Sequence, residues 1–223
     1  MRPYVYLAAA VTIDGRIASR SGYSRLSCPH DLRRLHALRA MVDAVVVGAN
    51  TAVVDNPRLT VRYVEGKNPL RVLIDGSLKV PPTLRMFDKS APTIVFTTSK
   101  APREKIEELK ARGVEIYVAE GGEVSPPYVL HTLHERGVRK VLLEGGGRTN
   151  WRFLHYCLVD EIFLTVTPYL FGNGVSLAEG WGYNTVEEMP YLLELRSVAV
   201  CQCGKEAVLN YRVLCKNRFT ENI

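Results

Sequence analysis

The sequence predicts an α/β fold: a mainly parallel central sheet flanked by helices, with a C-terminal antiparallel β-hairpin. Two patterns in the 223 residues carry this prediction. Short apolar or β-branched runs at 4–13, 44–47, 71–75, 93–97, 114–118, 141–143 and 161–167 are mostly separated by stretches of helical periodicity, and strands joined through helices pair in parallel. Beyond them, 192–200 and 207–215 alternate apolar and polar residues about Gly204-Lys205, the signature of a hairpin. With 47% hydrophobic and 23% charged residues and no repeat, low-complexity segment or Gly/Ser linker, 1–223 reads as a single domain with a sizeable core.

The first run, YVYLAAAVTI, ends at the turn signal Asp14-Gly15. Its small residues Ala8, Ala9 and Ala10 either leave room for a flat ring above the sheet or admit a closely packed helix. After a polar turn at 20–25, Ser27 is placed to cap a helix with Pro29 in its first turn and Leu32, Leu35, Leu38 and Met41 at helical spacing. The 44–47 run stops at Gly48, and the following GANTAVVDNPRLTVR reads as a loop with a turn at Asp55-Asn56-Pro57. Thr51, Asp55 and Arg62 give this loop an acceptor, an acid and a phosphate-binding cation, although a plain exposed loop carries the same residues. The 71–75 run is followed by Gly76-Ser77. The 93–97 run leads into Thr98-Ser99-Lys100. With Thr97 these suit the 2′-phosphate of NADP if their strand lies beside the glycine loop, and equally suit capping of a helix at 103–112. A helix at 126–136 ends at Gly137, and its His131 and His134 read as surface histidines because no third ligand accompanies them. The segment 168–184, rich in Gly and aromatics, reads as an irregular loop.

The stretch 139–154, RKVLLEGGGRTNWRFL, organises the rest. A buried strand at 141–143 meets Glu144, then Gly145, Gly146 and Gly147, and a helix is expected over 149–157. Glycines between a strand and a helix let the backbone approach a ligand, and the helix N-terminus offers N–H groups and a positive dipole end to an anion. A tight turn without a ligand uses the same glycines. No Gly-Lys-Ser/Thr closes the loop as in a Walker A motif. It also lacks the G-x-G-x-x-G spacing with an acidic residue about 20 positions further on.

Composition narrows the partners. The net charge is +6, yet the basic residues are spread along the chain, which favours an anionic small ligand over nucleic acid. No run is apolar over the roughly 18 residues of a membrane span, and MRPYVY is not a signal-peptide pattern, so no membrane partner and a cytoplasmic location are expected. Cys28, Cys157, Cys201, Cys203 and Cys215 are odd in number and include no C-x-x-C pair. They read as reduced thiols, with neither a disulfide framework nor a metal.

AAAVTIDGRIA, the pair SRLSCPHDLRRLHALRA and VVVGANTAVVDNPRLTVR, and VLLEGGGRTNW together resemble the reductase of riboflavin biosynthesis. The similarity runs over residues 3–215, and GxxTxxxDNPxLT followed by LLEGGG is far more specific than the glycine loop alone. The resemblance implies a dihydrofolate-reductase-like fold, NADPH as cofactor with NADH as the alternative, and a homodimer. That family occurs alone in archaea and fungi and fused behind a deaminase in bacteria. This chain lacks the H-x-E and P-C-x-x-C zinc signature of the nucleobase deaminases, so it is similar to the stand-alone form. There reduction precedes deamination, and the implied substrate is 2,5-diamino-6-ribosylamino-4(3H)-pyrimidinone 5′-phosphate, reduced to its ribitylamino product.

By the same resemblance, Ala10, Thr51, Asp55, Gly76, Ser77, Leu78, Gly145, Gly146, Gly147 and Arg148 line the cofactor site. Ser24, Arg39, Leu59, Arg62 and Glu144 hold the substrate, with Arg39 and Arg62 as two guanidinium forks on one phosphomonoester. Where the bacterial pattern often has a Trp after this Ser, the chain has Arg25-Leu26. The expected chemistry is opening of the ribosyl ring to an imine, hydride transfer to the ribose C1′ and addition of a proton. Asp55 is the candidate acid and Glu144 the second candidate. Two other readings remain. A dihydrofolate-reductase-type enzyme acting on a pterin needs an acid on the first helix, where Asp31 stands near the start. A basic nucleic-acid-binding module would bind in a salt-sensitive way.

Overall fold

The computed structural model describes residues 1–216; of the single domain expected over 1–223, residues 217–223 lie outside the described residues. The strands are β1 (Tyr4–Val11), β2 (Arg16–Ser19), β3 (Ala44–Gly48), β4 (Leu70–Ile74), β5 (Thr93–Thr98), β6 (Glu115–Ala119), β7 (Lys140–Leu143), β8 (Glu161–Val166), β9 (Gly174–Ser176), β10 (Tyr191–Val200) and β11 (Ala207–Cys215). The helices are α1 (Pro29–Met41), α2 (Ala49–Asp55), α3 (Arg103–Ala111), α4 (Pro126–Glu135) and α5 (Gly147–His155). They fall into two compact units, Met1–Pro3 with Arg33–Gly145, and Tyr4–Leu32 with Gly146 onward.

In the first unit a parallel sheet runs β7-β3-β4-β5-β6. Its strands β3 and β7 are continuous apolar runs because parallel strands are covered on both faces. Val45, Val46 and Val47 on β3, and Leu142 and Leu143 on β7, are wholly buried. Helix α4 has the ends its sequence promised: Ser125 caps it by accepting from the Tyr128 N–H at 3.3 Å, and Gly137 beyond it takes φ +84°. One charged side chain lies inside this sheet. Arg71 on β4 is fully buried, and it donates to Thr93 Oγ1 at 2.9 Å, to Asp88 Oδ1 at 2.7 Å and to the carbonyls of Asp88 and Ala91.

In the second unit the order is β10-β11-β8-β1, with β1 parallel to β8 and β11 antiparallel to both β8 and β10. The hairpin expected about Gly204-Lys205 is β10 and β11, with an irregularity between Leu195 and Ser197. Its outer strand β10 leaves Leu192, Leu193, Leu195, Val198 and Val200 exposed.

Several local expectations are corrected. The stretch after β3 is the helix α2 and not a loop; Gly48 gives it no side-chain cap, and Asn56 ends it in the left-handed region at φ 41°, so the Asp55-Asn56-Pro57 turn is a helix C-terminus. The segment 168–184 is not wholly irregular, since its β9 pairs antiparallel with β2, two strands too short to show a period. Helix α1 is capped by Cys28 and not Ser27: the Leu32 N–H reaches Cys28 O at 3.0 Å and the Asp31 N–H reaches Cys28 Sγ at 3.4 Å. Helix α5 starts at Gly147, ahead of the expected Thr149. Not all cysteines are reduced, because Cys157 and Cys215 form a disulfide with Cα atoms 5.9 Å apart across a separation of 58 residues. That separation hides the pair from any spacing argument.

Candidate active site

In the first unit, β7 delivers Glu144 just past its end, where the Glu144 N–H donates to Val46 O at 3.0 Å and keeps the residue in line with the sheet. Helix α1 places His36 and Arg39 one turn apart on one face. Arg39 is 6% exposed, and its Nε and Nη2 donate to Glu144 Oε1 and Oε2 at 2.7 and 2.6 Å, a bidentate pair. Burial weighs against the Arg39 charge, but the Glu144 carboxylate outweighs it and holds the guanidinium above its ordinary value. Its Nη1 donates to Thr60 O and faces His36 Nε2, both at 3.2 Å. His36, 1% exposed, accepts the Arg62 N–H on Nδ1 at 2.9 Å, and Arg62 Nη1 donates to Thr60 Oγ1 at 3.0 Å. Burial, then the neighbouring Arg39 and Arg62 charges, push His36 down to about 4, against the pull of Glu144. The ring is therefore neutral at pH 7.

Leu59, buried beside this cluster, has φ 55°, a conformation that costs a non-glycine residue roughly 1–2 kcal/mol. It immediately precedes Thr60, whose carbonyl and hydroxyl receive the two arginines. A second left-handed leucine, Leu78 at φ 49°, lies in the turn after β4. That turn is braced from every side. Asp75 Oδ2 accepts the Val80 N–H at 3.0 Å, the Leu78 N–H donates to Asp75 O at 3.1 Å, and Lys105 Nζ donates to the carbonyls of Leu78, Lys79 and Val80 at 3.1, 3.3 and 3.3 Å. Strained, over-determined backbone of this kind collects at ligand sites. Gly76 O accepts from Thr97 Oγ1 at 3.2 Å and Thr98 Oγ1 at 2.6 Å.

The last two bonds correct the 2′-phosphate expectation. Thr97 and Thr98 are wholly buried and spend their hydroxyls on Gly76, while β5 is separated from β7 by β4 and β3, so its end does not lie beside the glycine loop. Nor does this ending cap α3, whose N-cap is Pro102. Thr51 is half-buried within α2, and Asp55 is exposed as its last residue.

The second unit holds Ala10 on β1, paired in register with Thr165, and a half-buried Ser24. It also holds the start of α5. Gly146 is the N-cap at φ −74°, ψ 171°, and as a glycine it makes no side-chain cap bond. Gly147 is glycine for a packing reason: a Cβ there would stand 2.6 Å from Ser176 O and 2.7 Å from Glu179 Cγ. Arg148 is exposed.

Of the expected site residues, then, Arg39, Leu59, Arg62 and Glu144 form one cluster, but the fork of Arg39 closes on Glu144. His36 and Thr60 complete the cluster and were not foreseen, although the i, i+3 spacing of His36 and Arg39 was a usable signal. Asp31 is more than an acid near a helix start: it is buried, and its Oδ1 accepts from Thr165 Oγ1 at 2.7 Å.

Residues 3–209 match the family described as the RibD C-terminal domain. The 2,5-diamino-6-ribosylamino-4(3H)-pyrimidinone 5′-phosphate reductase of Methanothermobacter thermautotrophicus is 38% identical over 218 residues, which are 96% of this chain and 99% of that one. A crystal structure of the diaminohydroxyphosphoribosylaminopyrimidine deaminase/5-amino-6-(5-phosphoribosylamino)uracil reductase from Thermotoga maritima is 31% identical with a TM-score of 0.81. The match covers 96% of this chain and 57% of that longer one. A dihydrofolate reductase from Enterococcus faecalis, complexed with NADP(H), shares the fold at a TM-score of 0.52 and 10% identity over 94% of this chain and 96% of that one.

Proposed function

The chain belongs to the RibD C-terminal domain family, and from that premise we propose that it reduces 2,5-diamino-6-ribosylamino-4(3H)-pyrimidinone 5′-phosphate to its ribitylamino product in riboflavin biosynthesis, with NADPH as reductant. The observation that carries the reading is the cluster in which the exposed Arg62 and the half-buried Glu144 join the buried His36 and Arg39, set at the strand end that leads directly into the three glycines. Arg62, whose charge no carboxylate of the cluster takes up, suits a phosphorylated substrate.

Two features suit a nicotinamide dinucleotide. The N-cap of α5 is a glycine, which takes up none of the first-turn amides with a side chain and suits the approach of an anion such as a diphosphate, and the braced turn presents Gly76, Ser77 and Leu78 in a fixed conformation. Gly145, Gly146, Gly147 and Arg148 would hold the diphosphate, with Ala10, Thr51 and Asp55 along the rest of the cofactor. When bound, the cofactor supplies the hydride. The chain supplies orientation and a proton. Both oxygens of Glu144 already accept from Arg39, so Glu144 serves as a fixed acceptor for substrate hydroxyls and Asp55 is the proton source. Arg62, with Ser24 and Leu59, holds the ribose phosphate, and Arg39 positions Glu144. A homodimer belongs to the same reading, supported by the exposed apolar side chains along the edge strand β10. So does a cytoplasmic location, which rests on the metabolic class of the substrate.

Steady-state turnover of the ribosylamino-pyrimidinone phosphate, followed through oxidation of NADPH or NADH, tests the reading. Arg62→Ala raises KM with kcat nearly kept, and Asp55→Asn lowers kcat; an unchanged KM or a near-normal kcat removes the respective role. The buried Asp31–Thr165 pair favours one other reading, a pterin substrate. Turnover of dihydrofolate and not of the pyrimidine phosphate would select it.

A further inference from the structure

The hairpin turn between β10 and β11 reads CQCGKE, and it folds against the start of α1 so that Cys28, Cys201, Cys203 and Glu206 each turn a ligand atom toward one centre. These four atoms lie within 4.8 Å of one another. Cys28 Sγ and Cys201 Sγ are 3.6 Å apart, too far for a disulfide and close to the edge of about 3.8 Å that a tetrahedral zinc ion with bonds near 2.3 Å imposes on two sulfurs.

The carboxylate adds an independent sign. Glu206 is 4% exposed; its Oε1 accepts the Cys28 N–H at 2.7 Å, while its Oε2 is buried with no hydrogen-bond partner. A buried unpartnered carboxylate oxygen costs several kcal/mol unless a cation or a donor meets it. Backbone N–H groups point at the sulfurs of the cluster. The Asp31 N–H donates to Cys28 Sγ at 3.4 Å, and the amides of Lys205 and Glu206 face the Cys203 sulfur. Gly204 takes φ +71°, and its N–H donates to Cys201 O at 2.8 Å, so the turn that separates Cys201 from Cys203 is tightly closed. Backbone donors of this kind hold cysteine sulfurs in a fixed orientation.

We propose that Cys28, Cys201, Cys203 and Glu206 form a structural zinc site that clamps the β10–β11 turn to the first turn of α1. Four protein ligands close the coordination sphere, so the ion stabilises the fold and does not take part in catalysis. Three sulfurs select zinc over magnesium or calcium. Binding releases the thiol protons in exchange for the cation.

The test is metal content by plasma mass spectrometry on the full chain purified without added chelator, with cobalt(II) substitution as the second readout. One zinc per chain and a thiolate-to-cobalt charge-transfer band are expected. Cys203→Ser and Cys201→Ser lose both, Glu206→Gln weakens retention against a chelator by at least about tenfold, and a Cys157→Ser/Cys215→Ser double variant keeps its zinc. A folded wild-type chain with three titratable thiols, no zinc after incubation with a zinc salt and no cobalt band overturns the proposal. So does a Cys28–Cys201 disulfide in the chain as purified under anaerobic conditions. Should the Cys203→Ser variant fail to fold, the cobalt band of the wild-type chain decides by itself.

Discussion

Glu144→Gln breaks the bidentate pair while keeping the shape of the side chain. Arg39 is then left with its charge, 7% side-chain exposure and a neutral amide where a carboxylate had been. Removing one partner of a buried ion pair costs about 3–5 kcal/mol, and because the amide retains one acceptor the expected loss is at the low end, about 3 kcal/mol. In a chain of this size that lowers Tm by roughly 6–12 °C. Arg39→Met strands the Glu144 carboxylate, 13% exposed, at a similar cost. The double variant strands neither charge, so it is less damaged than the sum of the two by about 2 kcal/mol. Urea unfolding followed by circular dichroism measures all four proteins. Additivity within about 0.5 kcal/mol would refute the claim that Arg39 and Glu144 act as one unit. The same variants divide the kinetic roles: if Arg39 works through Glu144, both single variants lower kcat/KM to the same extent and the double variant goes no further.

The His36 ring carries a pH dependence of definite sign. Its folded-state value of about 4 lies below the ordinary 6.5, so the unfolded chain takes up the proton first. Its contribution to stability is constant above about pH 6.5 and is lost toward pH 4, by about 3 kcal/mol; His36→Asn removes that part of the slope, and an unchanged pH profile would show that the ring is not held neutral. Reducing the Cys157–Cys215 disulfide, or replacing both cysteines by Ser, costs up to about 4 kcal/mol from the unfolded chain's regained freedom, read as a lower urea midpoint. Gly147→Ala forces a methyl into Ser176 O and the Glu179 side chain and costs about 1–3 kcal/mol. An alanine variant of wild-type stability would mean that Gly147 is not a packing glycine.

Much of the sheet was legible because burial on both faces demands continuous apolar runs, and VVV on β3 and VLL on β7 supply them. The hairpin was legible because alternation around a glycine turn has few other uses. Helix α2 was not, because its seven residues carry no capping side chain and mix Val with Thr and Asn. β2 and β9 were not, because four residues and three residues are too few to express a period. In the site, Arg39 and Glu144 were each legible as functional, but their pairing across 105 residues depends on β7 lying beside β3. The cysteines were the least legible: Cys28 and Cys201 are 173 residues apart and meet only because the hairpin turn folds back to α1. Thr97 and Thr98 misled for a physical reason, since hydroxyls at a strand end serve a neighbouring turn as readily as a ligand.

The central claim is reduction at the ribose C1′ of a pyrimidine phosphate. It is tested most directly by supplying 2,5-diamino-6-ribosylamino-4(3H)-pyrimidinone 5′-phosphate with NADPH in which both hydrogens at C4 are replaced by deuterium and analysing the product by mass spectrometry and NMR. The account predicts a ribitylamino product bearing one deuterium at C1′. Recovery of unreduced substrate alongside turnover of dihydrofolate, or deuterium elsewhere in the product, would contradict it.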